Sequence, residues 1–264
     1  MNIVVCIKQV PEVADTELEI AEDGTGIDME DLVMTINEWD NYAVEEAIRL
    51  KEATGGKVTV ITLGDQEAED ILRRALAMGA DEAILIDQED FEGSDAFGVA
   101  RGLLSAIKEL SFDLLLTGVQ SADEGWAQVG LILAEWLRLP FASLVVKIEA
   151  VDGKKMIVQR ELEANQLERV EIPIPSALTI QTGINDPRYV SIMGIRKVRN
   201  IQIKELTSLG LGIPKEEVGR EGSSIAKASL SLPEEGQGAE ILTGSMEEIC
   251  EKAAQIIRER GGVA

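Results

Sequence analysis

The polar residues best suited to ligand chemistry in this chain lie in one loop between two apolar segments, within Leu114–Leu137. The apolar run before the loop predicts a buried strand, and the amphipathic run after it predicts a helix. The loop offers Gln120, Ser121, Asp123 and Gln128 together with Gly118, Gly125 and Gly130. In an open α/β sheet, ligands bind where a strand's carboxyl end faces a helix amino terminus. Because glycine lets backbone amides approach a ligand closely, we expect this loop to bind a nucleotide.

Three other segments place polar groups at the same edge of the predicted sheet. The first strand runs into a turn that carries Cys6 and Lys8. Asn37–Asp40 opens the first long helix, and Leu63 and Gly64 precede the second, so that both helix amino termini would attract anions. Each segment by itself is typical of ordinary caps and turns, but together they predict one shared crevice.

The charge of the chain excludes several classes of function. There are 48 acidic residues against 25 basic ones, and the formal net charge of −23 would repel nucleic acid or an anionic membrane surface. The chain has no histidine, and its two cysteines, Cys6 and Cys250, have no neighbour at metal-ligand spacing. Histidine-based catalysis is therefore excluded, no metal site or catalytic residue is predicted, and any chemistry would come from a cofactor.

The length and hydropathy favour a soluble domain. A chain of 264 residues with 45% hydrophobic content can bury one large core, with or without a smaller appendage. No apolar run approaches the ~20 residues that span a bilayer. The opening MNIVVCIKQV has neither the charged leader nor the cleavage site of a signal peptide. We expect a cytoplasmic protein without membrane insertion.

Residues 1–150 alternate between apolar strands and amphipathic helices. Short runs rich in Val, Ile and Leu predict parallel strands buried on both faces, at Ile3–Ile7, Lys57–Leu63, Glu82–Ile86, Asp113–Thr117 and Ser143–Ile148. Helices are predicted at Glu38–Ala53, Gln66–Met78, Asp95–Leu110 and Glu124–Leu137. The predicted caps are Asn37, Asp65 and Ser94 at the starts, and Gly55 and Gly79 at the ends. The pattern predicts a doubly wound α/β domain.

Beyond residue 150 the pattern predicts additions to this domain. Strand-like pieces occur at Met156–Glu161, Glu168–Ile172 and Ala177–Gln181, with a hairpin turn at Asp152-Gly153. We expect these pieces to be antiparallel additions to the same, mostly parallel, sheet.

A C-terminal arm ends in a predicted helix. Residues 213–238 are rich in Gly, Ser, Glu and Lys, include Pro214 and Pro233, and show no sustained period. Ser245 and Glu248 then form a capping box, apolar residues recur at helical spacing, and Gly261-Gly262 follows. A lone helix must pack on something to be stable, so it either folds back on its own domain or clasps a partner chain.

Several segments, taken in order, resemble the β subunit of electron transfer flavoprotein, including its bifurcating branch. The matching segments are VVCIKQVP, INEWDNYAVEEAIRLKE, LGD, ALAMGADEAI, GVQSADEGWAQVG, VQRELEANQLERVEIPIPSALT and NDPRYVSIMGIRKV. The resemblance runs from Asn2 to about Glu205. It implies a heterodimer with a larger α subunit that carries FAD, while this chain holds an adenine nucleotide in its α/β domain.

The resemblance and the strand-end positions together predict the nucleotide pocket. Its residues are Cys6, Lys8, Asn37, Asp40, Leu63, Gly64, Gly118, Gln120, Ser121, Asp123, Gly125, Trp126, Ala127, Gln128, Val129 and Gly130. The ordinary branch of the family holds structural AMP there, whereas the bifurcating branch holds a second FAD that accepts hydride from NADH. Residues 127–130, Ala-Gln-Val-Gly, are similar to the flavin-binding version rather than to Asn-Gln-Thr-Gly, although Leu131 replaces a proline common in the bifurcating branch. FAD is the predicted ligand, and AMP is the alternative.

A docking patch is also implied by the resemblance. Residues 185–199 resemble the family's recognition loop, in which an apolar side chain matching Ile192 anchors in a partner dehydrogenase. The predicted docking residues are Arg188, Tyr189, Ile192 and Met193, and the basic residues predicted around them are Arg188, Arg196, Lys197 and Arg199. As plain structure, the same segment would be a proline turn and a short helix whose apolar residues are partly buried.

Glu161 matches a family position near the flavin of the α subunit, where the glutamate contacts an arginine of the partner chain. The alternative is a strand residue that pairs with Arg160 or faces solvent. Among the tryptophans, Trp126 lies in the loop and could stack on a flavin, whereas core packing is expected for Trp136.

The predicted organisation has two parts. Residues 1–205 would form the nucleotide-binding domain, with antiparallel additions at about 151–182 and the docking loop at 185–199, and residues 206–264 an arm and helix on a partner subunit. The complex would pass electrons from NADH to an acyl-CoA or other dehydrogenase and to a low-potential acceptor such as ferredoxin. The alternatives are a subunit with structural AMP and, less favoured, a non-redox adenine-nucleotide binder. Whether the chain counts as an enzyme is left open.

Overall fold

The computed structural model describes residues 1–13, 18–21, 24–29, 32–232, 238–239 and 241–260, and at Ala150 the backbone alone. The strands are β1 (Asn2–Cys6), β2 (Gln9–Pro11), β3 (Met34–Ile36), β4 (Lys57–Gly64), β5 (Glu82–Asp87), β6 (Leu114–Gly118), β7 (Phe141–Val151), β8 (Lys155–Glu161), β9 (Leu167–Pro173), β10 (Ser176–Ile180) and β11 (Lys204–Leu206). The helices are α1 (Glu38–Thr54), α2 (Glu69–Met78), α3 (Ala96–Ile107), α4 (Val129–Trp136), α5 (Ile192–Val198), α6 (Gly219–Gly222) and α7 (Met246–Glu259). Short 3-10 turns cover Gln66–Ala68, Glu89–Phe91, Glu163–Asn165 and Lys215–Glu217.

A nine-stranded sheet has the order β11-β5-β4-β1-β6-β10-β7-β8-β9, and β2 and β3 form a separate two-stranded antiparallel sheet that the sequence did not predict. The strands from β11 to β7 pair in parallel. The strands β8 and β9 continue the sheet in antiparallel fashion. The prediction of a doubly wound, mostly parallel α/β sheet with antiparallel additions is confirmed.

The two faces of the sheet carry two apolar cores. In β1, Val5 faces the core that α1 and α2 cover, whereas Val4 and Cys6 face the core that α3 and α4 cover. All residues of β6 are buried. Burial on both faces explains why the strands form continuous apolar runs in the sequence rather than an alternating pattern.

The predicted antiparallel orientation of Ala177–Gln181 is wrong. This segment forms β10, which lies between β6 and β7 and is parallel to both. Every residue of β10 is buried, as expected of a central parallel strand. The direction in which a strand pairs is decided by contacts with residues far away in the sequence, here those of β6 and β7.

The helix starts differ in detail from the prediction. Asp95, rather than Ser94, caps α3 by accepting hydrogen bonds from the first-turn amides. Asn37 precedes α1 but makes no capping hydrogen bond, whereas Asp65 caps the turn before α2. The helix ends are as predicted, with Gly55 and Gly79 at positive φ.

Helix α4 begins at Val129, later than the predicted start at Glu124. Gly125 and Ala127 have φ angles of +62° and +54°, which are incompatible with a right-handed helix. Residues 124–128 therefore extend the polar loop that follows β6.

The arm begins later than predicted. Strand β11 pairs with β5, so the predicted boundary at residue 205 falls inside a strand of the main sheet. The chain then stays on the same domain, because Ile213 and Val218 are buried in the core that contains Phe91. The burial of Ile213 and Val218 could not be predicted from local composition, because it depends on packing against Phe91 and the residues of α3 in the same core.

The C-terminal helix α7 has the predicted capping box between Ser245 and Glu248, and none of its residues is buried. Its packing on a partner subunit stays a prediction. Pro233 and Gly261-Gly262 lie outside the described residues. Within the described ranges, no helix is both long and apolar enough to cross a bilayer.

Candidate functional site

A cavity of about 330 Å³ opens where the carboxyl ends of β1 and β6 face the starts of α1 and α4. The predicted residues on its wall are Cys6, Lys8, Asn37, Asp40, Leu63, Gly118, Gln120, Ser121 and residues 126–130. Gly64, Asp123 and Gly125 do not line it. Cavities that bind small molecules usually enclose about 300–1,000 Å³, so this one can hold a ligand of nucleotide size.

Asp40 joins the three elements that form the floor of the cavity. Its Oδ2 accepts the Lys8 amide at 2.8 Å, at the end of β1, and its Oδ1 accepts the Gly118 amide at 2.9 Å, at the end of β6. Burial raises the pKa of Asp40 to about 7, although these two amide hydrogen bonds lower it part of the way. Burial, and next the charge of Asp40, raises the pKa of the Cys6 thiol, which therefore stays protonated at neutral pH.

Asn37 holds the polar loop against the start of α1. Its side-chain Nδ2 donates to the carbonyl of Gln120 at 2.8 Å, and its Oδ1 accepts the amide of Ala122 at 3.1 Å. The side chain is buried, with 1% of the residue exposed. Asn37 therefore acts as a clamp on the loop rather than as the helix cap that its position predicted.

Two glycines of the loop region are required for internal packing. A Cβ atom at Gly118 would lie 2.6 Å from the Cβ of Trp39, and one at Gly130 would lie 2.9 Å from Cγ2 of Thr179. The amide of Gly118 is already used by Asp40. Sequence reasoning found these positions but gave a different cause, since they admit protein neighbours rather than a ligand.

Lys8 and Asp123, both predicted to contact the ligand, pair with each other. Lys8 Nζ lies 2.5 Å from Asp123 Oδ2, with 40% and 27% of the two side chains exposed. Burial acts to raise the pKa of Asp123, but hydrogen bonds from Lys8 and Ser121 outweigh it, and the pKa is lowered. The pair ties the turn after β1 to the loop after β6 across one side of the cavity.

Sequence reasoning missed one wall of the cavity. This wall is the connection between β5 and α3, and it contributes Gln88, Phe91, Glu92, Gly93 and Ser94. A signal was present, because Gly93 and Ser94 stand between a buried strand and a helix cap, as the polar loop does. The neighbouring order of the strands, which brings this connection beside β1, was not available from the sequence.

The start of α4 is suited to an anion. Gln128, Val129 and Gly130 line the cavity, and Gln128 makes no side-chain capping hydrogen bond to the helix. The first amides of a helix have no intrahelical acceptor, and they carry the positive end of the helix dipole. The helix therefore presents donors to whatever the cavity holds. Among the described residues, no group of three His, Cys, Asp or Glu side chains could hold a metal ion.

Known proteins match this chain over most of its length. The electron transfer flavoprotein domain model matches residues 25–208. The electron transfer flavoprotein subunit beta of Thermoanaerobacterium thermosaccharolyticum is 40% identical over 261 residues, which cover 98% of this chain and 99% of that protein. The corresponding subunit of Methylophilus methylotrophus is 37% identical over 265 residues, or 99% of this chain and 100% of that protein. The chain belongs to the electron transfer flavoprotein β-subunit family.

One further relative comes from a named complex. The caffeyl-CoA reductase-Etf complex subunit CarD of Acetobacterium woodii is 36% identical over 248 residues, which cover 93% of each chain. The resemblance to the electron transfer flavoprotein β subunit is thus confirmed at the level of the family.

In this electron transfer flavoprotein chain, Glu161 lies off the cavity wall but is connected to it. Gln181 Nε2 donates to Glu161 Oε2 at 3.1 Å, and its Oε1 accepts from Trp39 Nε1 at 2.8 Å. Trp39 directly precedes Asp40 in α1. Arg160, the alternative partner of Glu161, instead pairs with Glu168 at 2.7 Å. Gln181, which sequence reasoning did not select, therefore holds Glu161 in position.

The tryptophans lie where they were expected. Trp126 lines the cavity, and Trp136 packs beside Phe97 with ring centroids 6.0 Å apart.

The docking segment of this electron transfer flavoprotein chain presents apolar side chains to solvent. Tyr189 is 90% exposed, Ile192 71% and Met193 63%, so the alternative of partial burial is wrong for them. Unlike the other basic residues of the segment, Arg188 is only partly exposed. Its guanidinium pairs with Glu45 and Glu52 of α1, each at 2.8 Å, and ties the segment to the domain. The exposed basic residues are Arg196, Lys197 and Arg199.

Proposed function

We propose that this chain is the β subunit of a heterodimeric, electron-bifurcating electron transfer flavoprotein, and that its cavity holds FAD. The observation that carries the proposal is the meeting of two strand ends and two helix starts, α1 and α4, at one cavity. Helix amino termini bind phosphate through backbone amides. Such fixed dipoles suit an anionic ligand in a chain whose net charge is −23.

Residues 126–130 and the first turn of α4 would hold the pyrophosphate. Support comes from the absence of a side-chain cap at Gln128 and from the position of this loop on the wall. Asn37 and Asp40 already hold the loop and the strand ends through buried hydrogen bonds. Because the wall is ordered in advance, less conformational entropy is lost when a ligand binds.

FAD suits the chemistry of the wall better than a more polar ligand would. Ala127 and Val129 are small and apolar, and Phe91, Val99 and Leu103 add an apolar side. A cavity that is mostly apolar with a few placed polar groups is typical of sites for flat aromatic ligands. When bound, FAD would accept hydride from NADH and pass on electrons one at a time. The chain's own residues would bind it, orient it and exclude water.

AMP is the second candidate, and the volume of the cavity favours it. About 330 Å³ lies at the lower end of the usual range for ligand sites, and AMP is the smaller of the two ligands. With AMP, the chain would act as a scaffold and docking surface without a redox centre of its own.

The proposed partners are an α subunit, a dehydrogenase that acts on an acyl-CoA or a related substrate, and a low-potential acceptor such as ferredoxin. Helix α7 supports the first, since it leaves an amphipathic surface without a buried residue. Glu161, held by Gln181, is proposed to lie near the flavin of the α subunit. The exposed residues Tyr189, Ile192 and Met193 support docking to a dehydrogenase.

The test is a count of nucleotides in the native complex, purified through a tag on this chain. We expect two FAD per heterodimer, and bleaching of the flavin absorbance by NADH under anaerobic conditions. One FAD and one AMP per heterodimer would select the alternative, and the absence of both nucleotides from this chain would overturn the proposal.

A variant at Asn37, the residue that clamps the loop, tests whether one of the counted nucleotides lies in this cavity. Asn37→Ala removes the hydrogen bonds to the loop and is expected to lower only the nucleotide of this subunit. Asn200→Ala, at an exposed position after α5, is the matched control and should leave the count unchanged.

A further inference from the structure

Part of the arm bonds to residues on two walls of the cavity, although no sequence motif marks it. Residues 219–227, called the strap here, follow Val218, which is 1% exposed in the core beside α3. The Gly219 amide donates to Ser94 Oγ at 2.7 Å. Gly219 has a φ of +64°, and a Cβ there would lie 3.0 Å from the carbonyl oxygen of Asp90. The strap thus starts at a fixed point on the wall that β5 and α3 provide.

The second anchor of the strap is Asp95. Its Oδ2 accepts the Ser224 amide at 2.8 Å, while its Oδ1 caps α3 through the amides of Phe97 and Gly98. Burial acts to raise the pKa of Asp95, but the hydrogen bonds from these amides outweigh it, and the pKa is lowered. The carboxylate therefore stays ionised and holds the helix start and the strap together.

The strap ends on the opposite wall. Lys227 Nζ lies 3.2 Å from Glu124 Oε1, and Glu124 belongs to the loop after β6. Ser94 and Glu124 both line the cavity, although they come from different strand ends. Between the two anchors, Arg220 lies over the wall residue Gly93, where a Cβ would be 3.3 Å from its Nε. The strap therefore connects two walls of the cavity, one from the connection between β5 and α3 and one from the loop after β6.

We propose that the strap closes the nucleotide cavity and that the ion pair between Lys227 and Glu124 is its latch, which slows release of the bound adenine nucleotide. This inference rests on the proposed function, because it assumes that the cavity holds such a nucleotide. The latch also places the positive charge of Lys227 beside Glu124 on the cavity wall. This charge would reduce the repulsion between Glu124 and an anionic ligand. The side chains of Lys227 and Glu124 are 62% and 24% exposed, so the latch can open without unfolding the domain.

The experiment measures the release rate of endogenous nucleotide from the native heterodimer after dilution, by separating free from bound nucleotide at timed intervals. An exposed ion pair contributes little, so Lys227→Glu, which turns attraction into repulsion, is expected to speed release about fivefold and Lys227→Gln about twofold. The double variant Lys227→Glu with Glu124→Lys restores the pair and should return the rate to near the wild-type value. Higher salt should speed release from the wild type and not from Lys227→Gln.

The control is Lys108→Gln, an exposed lysine after the last turn of α3. Helix α3 lies between Asp95 and Lys108 and rises about 1.5 Å per residue, so Lys108 lies about 20 Å from the strap anchor at Asp95. If the wild type contains the nucleotide but Lys227→Glu releases it no faster than the wild type does, the latch is overturned and the proposed function stays intact. Faster release that the double variant does not reverse would also overturn it. A wild-type heterodimer with no nucleotide in this subunit would overturn the proposed function and the latch together.

Discussion

The cavity floor and the docking segment differ in how their side chains are buried and bonded. The floor buries polar side chains, and the segment exposes apolar ones. At the cavity, Asn37 and Asp40 are 1% and 6% exposed, and both are held by hydrogen bonds within the chain. In the docking segment, Ile192 and Met193 are 71% and 63% exposed. Buried polar groups need partners to be tolerated, whereas large apolar groups on a surface gain free energy when another molecule covers them. The first region is complete by itself, whereas the second leaves large apolar side chains uncovered.

Helix α1 supports both regions with different parts of its length. Its first turn supplies Asp40 to the cavity. Further along, Glu45 pairs with Arg188, and Glu46 accepts from Asn185 Nδ2 at 2.9 Å. The base of the docking segment is therefore held to α1 by ion pairs and hydrogen bonds, whereas its apolar residues Tyr189, Ile192 and Met193 are exposed. In the docking segment, different residues therefore decide how the segment is held and what it exposes. The carboxylates of Glu45 and Glu46 hold it to α1, and its apolar side chains form the exposed surface.

The largest effect is expected from a methyl group at the cavity floor. Gly118→Ala would place its Cβ 2.6 Å from Trp39 Cβ and against Asp40, so we expect the free energy of unfolding to fall by about 1–3 kcal/mol. The nucleotide content should fall with it. Chemical denaturation and nucleotide extraction measure both. Gly26→Ala is the control, because nothing lies within 4 Å of its Cβ position. Equal stability of the two variants would show that the floor is not tightly packed.

The next effect separates the docking segment from the cavity. Ile192→Glu should lower kcat/KM for reduction of the partner dehydrogenase about tenfold, because a central apolar anchor is lost from the interface. Nucleotide content and the melting temperature should stay unchanged, since Ile192 is not buried in the domain. Leu209→Glu, at a site 87% exposed outside the segment, is the control. A loss of nucleotide in Ile192→Glu would contradict the separation of the two regions.

A smaller effect concerns pH at the cavity. Because the pKa of Asp40 is raised to about 7, its carboxyl is mostly neutral at pH 6 and mostly ionised at pH 8. We expect nucleotide affinity to weaken as the pH rises through 7, because the carboxylate then faces an anionic ligand. By the same shift, the folded state keeps a proton that the unfolded state has lost, so the contribution of Asp40 to stability falls between about pH 4 and 7.

Asp40→Asn tests this dependence. Equilibrium dialysis of the same nucleotide against both proteins cancels the titration of the ligand's phosphates, and the asparagine variant should show the flatter profile. The lowered pKa of Asp123 and the raised pKa of Cys6 keep those two groups in one charge state from pH 6 to 8. Parallel profiles for the two proteins would exclude Asp40 as the titrating group.

The smallest effect is expected from the exposed basic residues beside the docking patch. Neutralising them together, as Arg196→Gln, Lys197→Gln and Arg199→Gln, should slow association with the dehydrogenase about two- to threefold at low salt. The difference should vanish near 1 M salt, where charges are screened within about 3 Å. Stopped-flow reduction at several ionic strengths measures it. A difference that persists at high salt would mean that these residues make contacts rather than steer.

Sequence reasoning succeeded where local pattern and local chemistry carry the information. The apolar runs of β1 and β6, the turn glycines Gly55 and Gly79, and the capping box at Ser245 are all decided by residues within a few positions of each other. It failed on β10, whose direction depends on pairing with β6 and β7. It also missed the ion pairs of Arg188 with Glu45 and Glu52 of α1, since only the fold brings these residues together.

The amino-acid sequence by itself determined which segments form most of the strands and helices, where the polar loop lies, and that the chain is strongly acidic. The tertiary structure alone decided the strand order, the wall between β5 and α3, and the contacts of residues 219–227 with Ser94, Asp95 and Glu124. The physical reason is range. Hydrophobic periodicity and turn chemistry act between near neighbours, whereas the cavity is built from contacts such as Lys8 to Asp40 and Lys227 to Glu124, which join residues far apart in the chain.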